Sequence, residues 1–146
     1  MRSAKQCLDA SFVIKLVLEE EWSSEARSLA SSWTIQESQL FAPYHLIYEA
    51  SSVIWNRVYR GILTPGAGEQ AFATLHAQKF TYVHTESLFQ DAWGIAQRFR
   101  RPTLYDCYYL ALADMLGCDL WTADRRLYSA VCHELPWVKL LGRSQA

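Results

Sequence analysis

The chain has 146 residues, of which 51% are hydrophobic and 20% charged, and its formal net charge at pH 7 is −1. This length suits a single domain over residues 1–146, and the composition excludes an intrinsically disordered chain. The small net charge excludes a globally basic nucleic-acid-binding protein but leaves room for a local basic strip.

In the first half of the chain, short apolar runs alternate with stretches of helical periodicity. The apolar runs cover residues 5–8 and 40–42, and the predicted helices cover about 11–18, 23–33, 44–60 and 65–76. Ser11 is expected to cap the first helix, Pro43 to occupy the first position of the third, and Gly61 to end that helix. The run of three glutamates at 19–21 is expected to be solvated.

The second half continues this alternation. Strands are predicted over residues 80–83, 118–121 and 137–141, and helices over about 85–101, 103–116 and 124–131. Pro102 separates two of these helices, Thr103 is the expected N-cap of the second, and Gly117 is expected to end it. Short strands between helices predict an α/β fold with a mostly parallel sheet covered on both faces. In such folds the functional site lies outside the carboxyl ends of the strands.

The location of the protein is inferred from apolar runs and cysteines. No apolar run approaches the roughly 20 residues of a membrane-spanning helix. The N-terminal stretch is a poor signal peptide because Asp9 and Lys15 interrupt its apolar part. The cysteines, which lack C-x-x-C spacing and are expected to be free buried thiols, are Cys7, Cys107, Cys118 and Cys132. We therefore expect a cytoplasmic protein.

Two aspartates follow predicted strands. Asp9 ends the first strand, and Asp124 comes shortly after the strand at 118–121. If both strands are central and parallel, both carboxylates project from the same edge of the sheet. Taken singly, each aspartate is explained as simply by a helix cap or a loop position.

Two further acids lie in apolar helices. Glu49 is on or beside a core stripe that includes Leu46 and Val53, so its carboxylate needs a partner, a cation or a route to solvent. Asp106 occupies the first turn of a helix that is apolar and aromatic nearly all round, although attraction to the helix dipole also explains an acid there. Asp114, about two turns later, is expected to face solvent.

If these four acids converge in one cleft, their mutual repulsion favours a bound cation. Ligand sets made only of oxygen select hard ions such as Mg²⁺ or Mn²⁺. One or two such ions can polarise a phosphodiester and activate water. The residues by themselves therefore predict a metal-carboxylate hydrolase, with phosphate esters as one substrate class.

Three segments carry a resemblance to a known family. They are residues 8–15 (LDASFVIK), residues 48–57 (YEASSVIWNR) with the following 60–62 (RGI), and residues 105–113 (YDCYYLALA) leading into 116–127 (LGCDLWTADRRL). The third segment is the most specific. Together they resemble the PIN-domain family, and in particular its VapC-type toxin branch, from about Lys5 to Leu141.

The resemblance implies a three-layer α/β/α fold around a parallel sheet of about five strands, and cleavage of RNA that depends on Mg²⁺ or Mn²⁺. The acidic positions of the family, which would be catalytic and metal-binding, are matched by Asp9, Glu49, Asp106 and Asp124. Ser11 and Thr122 match accessory hydroxyl positions. The branch also implies a toxin of a type II toxin–antitoxin pair, with a small antitoxin protein as partner.

Several residues have two competing explanations. Arg125 and Arg126 follow Asp124 and are possible RNA phosphate contacts, as is the cluster at 98–101, but arginines at a helix end also interact favourably with the helix terminus. Cys107 stands where many relatives carry alanine and is expected to be tolerated while narrowing the site. The four histidines form no ligand pattern.

Aromatic residues are unusually abundant, with six Trp, eight Tyr and six Phe. Such a surplus more often forms a core or a protein interface than a stacking platform for bases. We therefore expect a homodimer built on apolar surface from the second and third predicted helices.

Two other functional classes remain open at this point. A non-catalytic PIN-like interaction module is the main alternative, although the presence of all four acids argues against it. A receiver-like signalling domain would need a pair of acids next to the first strand, where only Asp9 stands.

Overall fold

The computed structural model describes residues 4–142, and within this range the chain forms five strands and seven helices. The strands are β1 (Lys5–Leu8), β2 (Gln39–Pro43), β3 (Phe80–Val83), β4 (Asp119–Thr122) and β5 (Val138–Leu140). The helices are α1 (Ala10–Val17), α2 (Ser23–Ile35), α3 (Leu46–Tyr59), α4 (Pro65–Ala77), α5 (Glu86–Phe99), α6 (Tyr105–Leu116) and α7 (Arg125–Val131).

All five strands belong to one parallel sheet with the order β3-β2-β1-β4-β5. β1 is central, and its register places Leu8 opposite Trp121 of β4. The chain runs outward from β1 in both directions, so β1 lies at the point where the strand order reverses. In open α/β sheets this is where ligands bind. The predicted α/β fold with a parallel sheet of about five strands is confirmed.

The helices pack in two groups around the sheet. α1 contacts α2, α3 and α4, whereas α6 contacts α5 and strands β1, β2 and β4. Half of α6 is buried, from Tyr109 to Ala113 together with Cys107. This burial agrees with the nearly all-apolar sequence of α6 and fixes the helix that carries Asp106.

The structure corrects three predicted helix starts. Asp9, not Ser11, is the N-cap of α1, because its Oδ1 accepts the amide hydrogen of Phe12 at 3.0 Å. Pro43 is the last residue of β2 rather than the first of a helix. α6 begins at Tyr105, with Leu104 instead of Thr103 at the cap position. The observed helix starts differ from the predicted ones by one to three residues, which is the usual uncertainty of helix boundaries.

The predicted end of α3 is confirmed in detail. Gly61 has φ of 73° and donates its amide to the carbonyl of Val58, while Ile62 donates to the carbonyl of Arg57. This pair of bonds is a Schellman motif, which needs the left-handed conformation that glycine adopts without strain. The motif fixes the last turn of α3, including Arg57.

The structure shows the state of the cysteines and the length of the helices. All four cysteines are free, and Cys7, Cys107 and Cys118 are buried. Within residues 4–142, none of the helices combines the length and apolarity that crossing a bilayer requires.

Candidate functional site

A cleft of about 370 Å³ opens at the carboxyl ends of β1 and β4. Its walls include all four acids singled out in the sequence, which are Asp9, Glu49, Asp106 and Asp124. They come from four different elements, so the parallel topology brings together residues that are distant in sequence.

Asp9 is held by two hydroxyl groups at the junction of β1 and β4. Ser11 Oγ donates to Asp9 Oδ1 at 2.6 Å, and Thr122 Oγ1 donates to Asp9 Oδ2. Each hydroxyl in turn accepts a backbone amide, from Ala123 at 2.8 Å and from Asp124 at 3.0 Å respectively. Since each hydroxyl has one proton and accepts from the backbone, its proton is directed at the carboxylate.

Burial dominates the electrostatics of Asp9, whose residue is 3% exposed. Desolvation raises the pKa of its carboxyl from 3.8 to about 7, and the charge of Asp106 adds to this rise. The hydrogen bonds from Ser11, Thr122 and the Phe12 amide act in the opposite direction. In the absence of a cation, Asp9 therefore holds a proton more readily than an ordinary aspartate does.

Asp106 and Asp124 lie at the starts of α6 and α7. Asp124 caps α7, with Oδ1 accepting the amides of Arg126 at 2.9 Å and Leu127 at 3.2 Å, which leaves Oδ2 free of the capping bonds. Burial, followed by the charges of Asp124 and Glu49, raises the pKa of Asp106. The Arg101 guanidinium, 3.9 Å away, only partly offsets this rise.

Glu49 is half-buried in the first turn of α3, with its side chain 35% exposed. Its Oε1 lies 2.8 Å from Nε2 of His45 and accepts the hydroxyl of Tyr109 at 3.1 Å. The same Nε2 lies 3.2 Å from the carbonyl of Tyr105, which can only accept, so this nitrogen carries a hydrogen. Glu49 thus has the partners that its place in an apolar helix required.

His45 was not singled out from the sequence, although a signal existed. It lies four residues before Glu49, the spacing at which side chains on a helix meet. Its imidazole also lowers the pKa of Asp106 through its charge and packs 4.7 Å from the ring of Tyr109. His45 therefore links Glu49 to the start of α6.

Three more charged residues in the cleft were also missed. Lys15, Glu20 and Arg57 all line it. Glu20 was expected to be solvated, but its side chain is only 23% exposed and bridges the two cations. Burial raises the pKa of Glu20, but hydrogen bonds and charges from Lys15 and Arg57 outweigh it, so the pKa is lowered overall.

Other residues considered in the sequence lie outside the cleft walls. Arg125 and Arg126 are exposed in the first turn of α7, and their contact with RNA stays a prediction. Cys107 does not narrow the cleft, because its buried thiol donates instead to the carbonyl of Thr103 at 3.8 Å. Asp114 is exposed, as expected.

The donor chemistry of the cleft fits a hard divalent cation. Its acidic side chains offer only oxygen ligands, and burial together with the charges of Asp124 and Glu49 raises the pKa of Asp106. Among the described residues, however, no three acidic, histidine or cysteine side chains form a compact ligand set. The acids surround the cleft, so a bound cation would have to draw them together.

The sequence matches a known protein family and several named proteins. The PIN-domain model matches residues 7–132. Ribonuclease VapC3 of Pyrobaculum aerophilum is 30% identical over 125 residues, which cover 84% of this chain and 92% of that protein. Ribonuclease VapC9 of Mycobacterium tuberculosis is 30% identical over 120 residues, covering 82% of this chain and 86% of that protein.

Solved structures share the fold. PAE2754 from Pyrobaculum aerophilum superposes with a TM-score of 0.65 at 21% identity, covering 89% of this chain and 87% of that one. VapC20 of Mycobacterium tuberculosis, described as a Sarcin-Ricin loop cleaving toxin, superposes with a TM-score of 0.63 at 19% identity, covering 86% and 95%. The chain therefore belongs to the PIN-domain family, in its VapC-type branch.

Proposed function

We propose that this protein is an Mg²⁺- or Mn²⁺-dependent endoribonuclease that hydrolyses phosphodiester bonds of RNA. The observation that carries the proposal is the convergence of Asp9, Glu49, Asp106 and Asp124 on one cleft. The names of VapC3 and VapC9, both called ribonucleases, support RNA as the substrate.

In this proposal Asp9 and Asp106 are the principal metal ligands, and Glu49 and Asp124 complete the set directly or through water. A divalent cation, when bound, supplies positive charge that offsets the charge developing on the phosphate and eases deprotonation of water. Ser11 and Thr122 orient Asp9 through the hydroxyl hydrogen bonds described above.

His45 and Tyr109 have a corresponding positioning role at Glu49. Both donate to its Oε1, so the lone pairs of Oε2 stay available to the cleft. The hydrogen bonds also hold the carboxylate in one orientation, which reduces the rotational freedom lost when a ligand binds.

Metal removal tests the proposal directly. The purified protein should cleave single-stranded RNA in Mg²⁺ or Mn²⁺ and stop in excess EDTA, because without the cation nothing eases deprotonation of water or offsets the charge developing on the phosphate. Gel analysis of labelled RNA measures this, and adding Mg²⁺ back in excess over EDTA should restore cleavage. Cleavage that persists in EDTA, in a preparation free of other nucleases, would contradict the mechanism.

We further propose that the protein is the toxin of a type II toxin–antitoxin pair that acts in the cytoplasm. The VapC-type branch and the free thiols, which suit a reducing compartment, support this. A small antitoxin protein would mask the acidic cleft, because an unrestrained ribonuclease harms its own cell.

The alternative is a non-catalytic interaction module, and one observation favours protein binding in general. A largely apolar groove of about 520 Å³ lies between α3 and α4, with Trp55 and Phe72 among its walls. A protein-binding face is compatible with catalysis, so this groove supports a partner without arguing against the nuclease.

We also propose that the protein is a homodimer, with its interface on α3 and α4 rather than on the second and third predicted helices. Trp33 of α2 is buried against Phe12 and Trp121, so α2 does not offer the aromatic surface expected from the sequence. Exposed aromatic side chains line the groove between α3 and α4 instead, and among them Trp55 is 65% exposed. An exposed apolar face of this kind is typical of an interface.

We expect light scattering to give a particle of twice the 16.8 kDa chain mass. Trp55→Glu should shift the mass toward the monomer, since it places a charge in the apolar contact. The matched control is Trp93→Glu, which alters an exposed tryptophan on α5 and should leave the dimer intact. A wild-type monomer at high micromolar concentration would contradict the homodimer.

A further inference from the structure

One end of the acidic cleft carries positive charge. Lys15 is in the last turn of α1 and Arg57 in the last turn of α3, and Glu20 lies in the loop between α1 and α2. Lys15 Nζ is 3.0 Å from Glu20 Oε1, and Arg57 Nη1 is 2.6 Å from Glu20 Oε2. We call these three residues the basic cluster.

The charge balance of the basic cluster favours binding of an anion. Two cations share one carboxylate, so the cluster keeps one net positive charge. Its side chains are 18% (Lys15), 23% (Glu20) and 29% (Arg57) exposed, so much of their hydration has been lost. One cation would be enough to neutralise Glu20. A second, partly desolvated cation is unfavourable unless an anion binds in the cleft.

The basic cluster is aligned with the acids. Glu49, Val53 and Arg57 follow one another at four-residue spacing on α3, and all three line the cleft. Eight residues of helix separate Glu49 from Arg57 by roughly 12 Å along the axis. The cleft therefore runs from a negative end, suited to a cation, to a positive end, suited to an anion.

The backbone holds this arrangement in place. The Schellman motif at Gly61 uses the carbonyl of Arg57 and so fixes the last turn of α3. The loop that carries Glu20 is fixed by the buried Ser23, whose hydroxyl accepts the Glu20 amide at 3.0 Å and donates to the Leu18 carbonyl at 2.8 Å. A preformed position of this kind limits the ordering that ligand binding requires.

We propose that Lys15 and Arg57 form a phosphate subsite for the RNA strand, beside the acids that act on the scissile bond. The ligand is a neighbouring, non-scissile phosphodiester of single-stranded RNA, and its oxygens compete with the Glu20 carboxylate for the donors of both cations. The planar guanidinium of Arg57 can present two parallel donors to one phosphate. This inference rests on the proposed ribonuclease function. It adds a contact that would align the RNA strand with the acids.

The test measures RNA binding separately from cleavage. Binding of a fluorescein-labelled single-stranded RNA oligonucleotide of mixed sequence is followed by anisotropy in EDTA, over a series of salt concentrations. Lys15→Gln and Arg57→Gln should each weaken binding on the order of 10-fold, the loss of one charge-assisted hydrogen bond. Each should also reduce the slope of log K against log salt by about 0.7, the value for one phosphate contact in a single strand.

Two further variants separate this role from a structural ion pair. Arg60→Gln is the matched control, because Arg60 ends the same helix but is exposed outside the cleft walls, and it should bind like wild type. Glu20→Gln keeps the shape while releasing both cations, so RNA binding should become tighter. If Glu20 only fastened the α1–α2 loop to α3, its loss would weaken binding or leave it unchanged.

The outcomes also distinguish the subsite from the ribonuclease. Wild-type affinity and salt slope in both Lys15→Gln and Arg57→Gln would overturn the subsite even if the protein cleaves RNA in Mg²⁺. Weakened binding in a protein that never cleaves RNA would support the subsite and overturn the ribonuclease. If either glutamine variant fails to fold by circular dichroism, Lys15→Arg and Arg57→Lys replace it, and near wild-type binding by these charge-preserving variants is then the supporting result.

Discussion

Asp106→Asn should lower the rate of RNA cleavage by at least about 10–100-fold, the range typical for losing a group that supports a metal site. The acid lies in the first turn of α6, and burial followed by the charges of Asp124 and Glu49 raises its pKa. Asparagine keeps the shape and removes the charge, so the fold should persist while attraction for the cation falls. Initial rates in Mg²⁺ measure the effect.

Asp114→Asn is the matched control for this substitution. Asp114 belongs to the same helix, is exposed and does not line the cleft, so the same chemical change there should leave the rate near wild type. The same two variants also test toxicity in cells. Expression of wild type or Asp114→Asn should slow growth, whereas expression of Asp106→Asn should not. Equal toxicity of all three proteins would favour the interaction module over the ribonuclease.

The convergence of the acids could be predicted because it follows from topology. Asp9 directly follows β1 and Asp124 comes two residues after the end of β4, and neighbouring parallel strands end at the same edge of a sheet. Because β1 and β4 are neighbouring parallel strands, both carboxylates face the same cleft. For the same reason, the small errors at Ser11, Pro43 and Thr103 did not affect the predicted position of the acids.

The basic cluster could not be predicted in this way. Glu20 stands within three consecutive glutamates, a pattern typical of a solvated helix end, and its partner Arg57 is 37 residues away. The contact depends on how the α1–α2 loop packs against α3, which no local periodicity encodes. The position of His45, in contrast, could have been predicted from its four-residue spacing to Glu49. It was overlooked because the four histidines form no ligand pattern.

In metal-free buffer, the stability of the wild-type protein should depend strongly on the protonation of Asp9. The pKa of this carboxyl is about 7 in the folded chain, whereas the ordinary value is 3.8. Between these values the folded chain holds a proton that the unfolded chain has released. The free energy of unfolding should therefore fall as the pH rises from about 4 to about 7. At about 1.4 kcal/mol for each pKa unit, the loss amounts to a few kcal/mol.

Two substitutions test this assignment by changing the pH dependence in opposite directions. Asp9→Asn is neutral at every pH, so its stability relative to wild type should rise through this interval and level off above it. Thr122→Val removes a hydrogen bond that lowers the pKa of Asp9, so its loss of stability should extend to higher pH than in wild type. Urea unfolding in EDTA at several pH values between 5 and 8 measures both effects. Glu21→Gln, at an exposed acid, is the control and should follow wild type.

Above pH 7, bound metal should offset the stability that the folded protein loses when Asp9 ionises. A cation that binds only the folded chain stabilises it by mass action. At a Mg²⁺ concentration about 100 times the dissociation constant the gain is about 2.7 kcal/mol, and Asp9→Asn should gain much less because it lacks a proposed ligand. The order of stability at pH 8 should therefore invert between EDTA and Mg²⁺, with the variant more stable in the first and wild type in the second. If the stability difference between wild type and Asp9→Asn is the same at every pH and in both buffers, Asp9 serves only as the cap of α1.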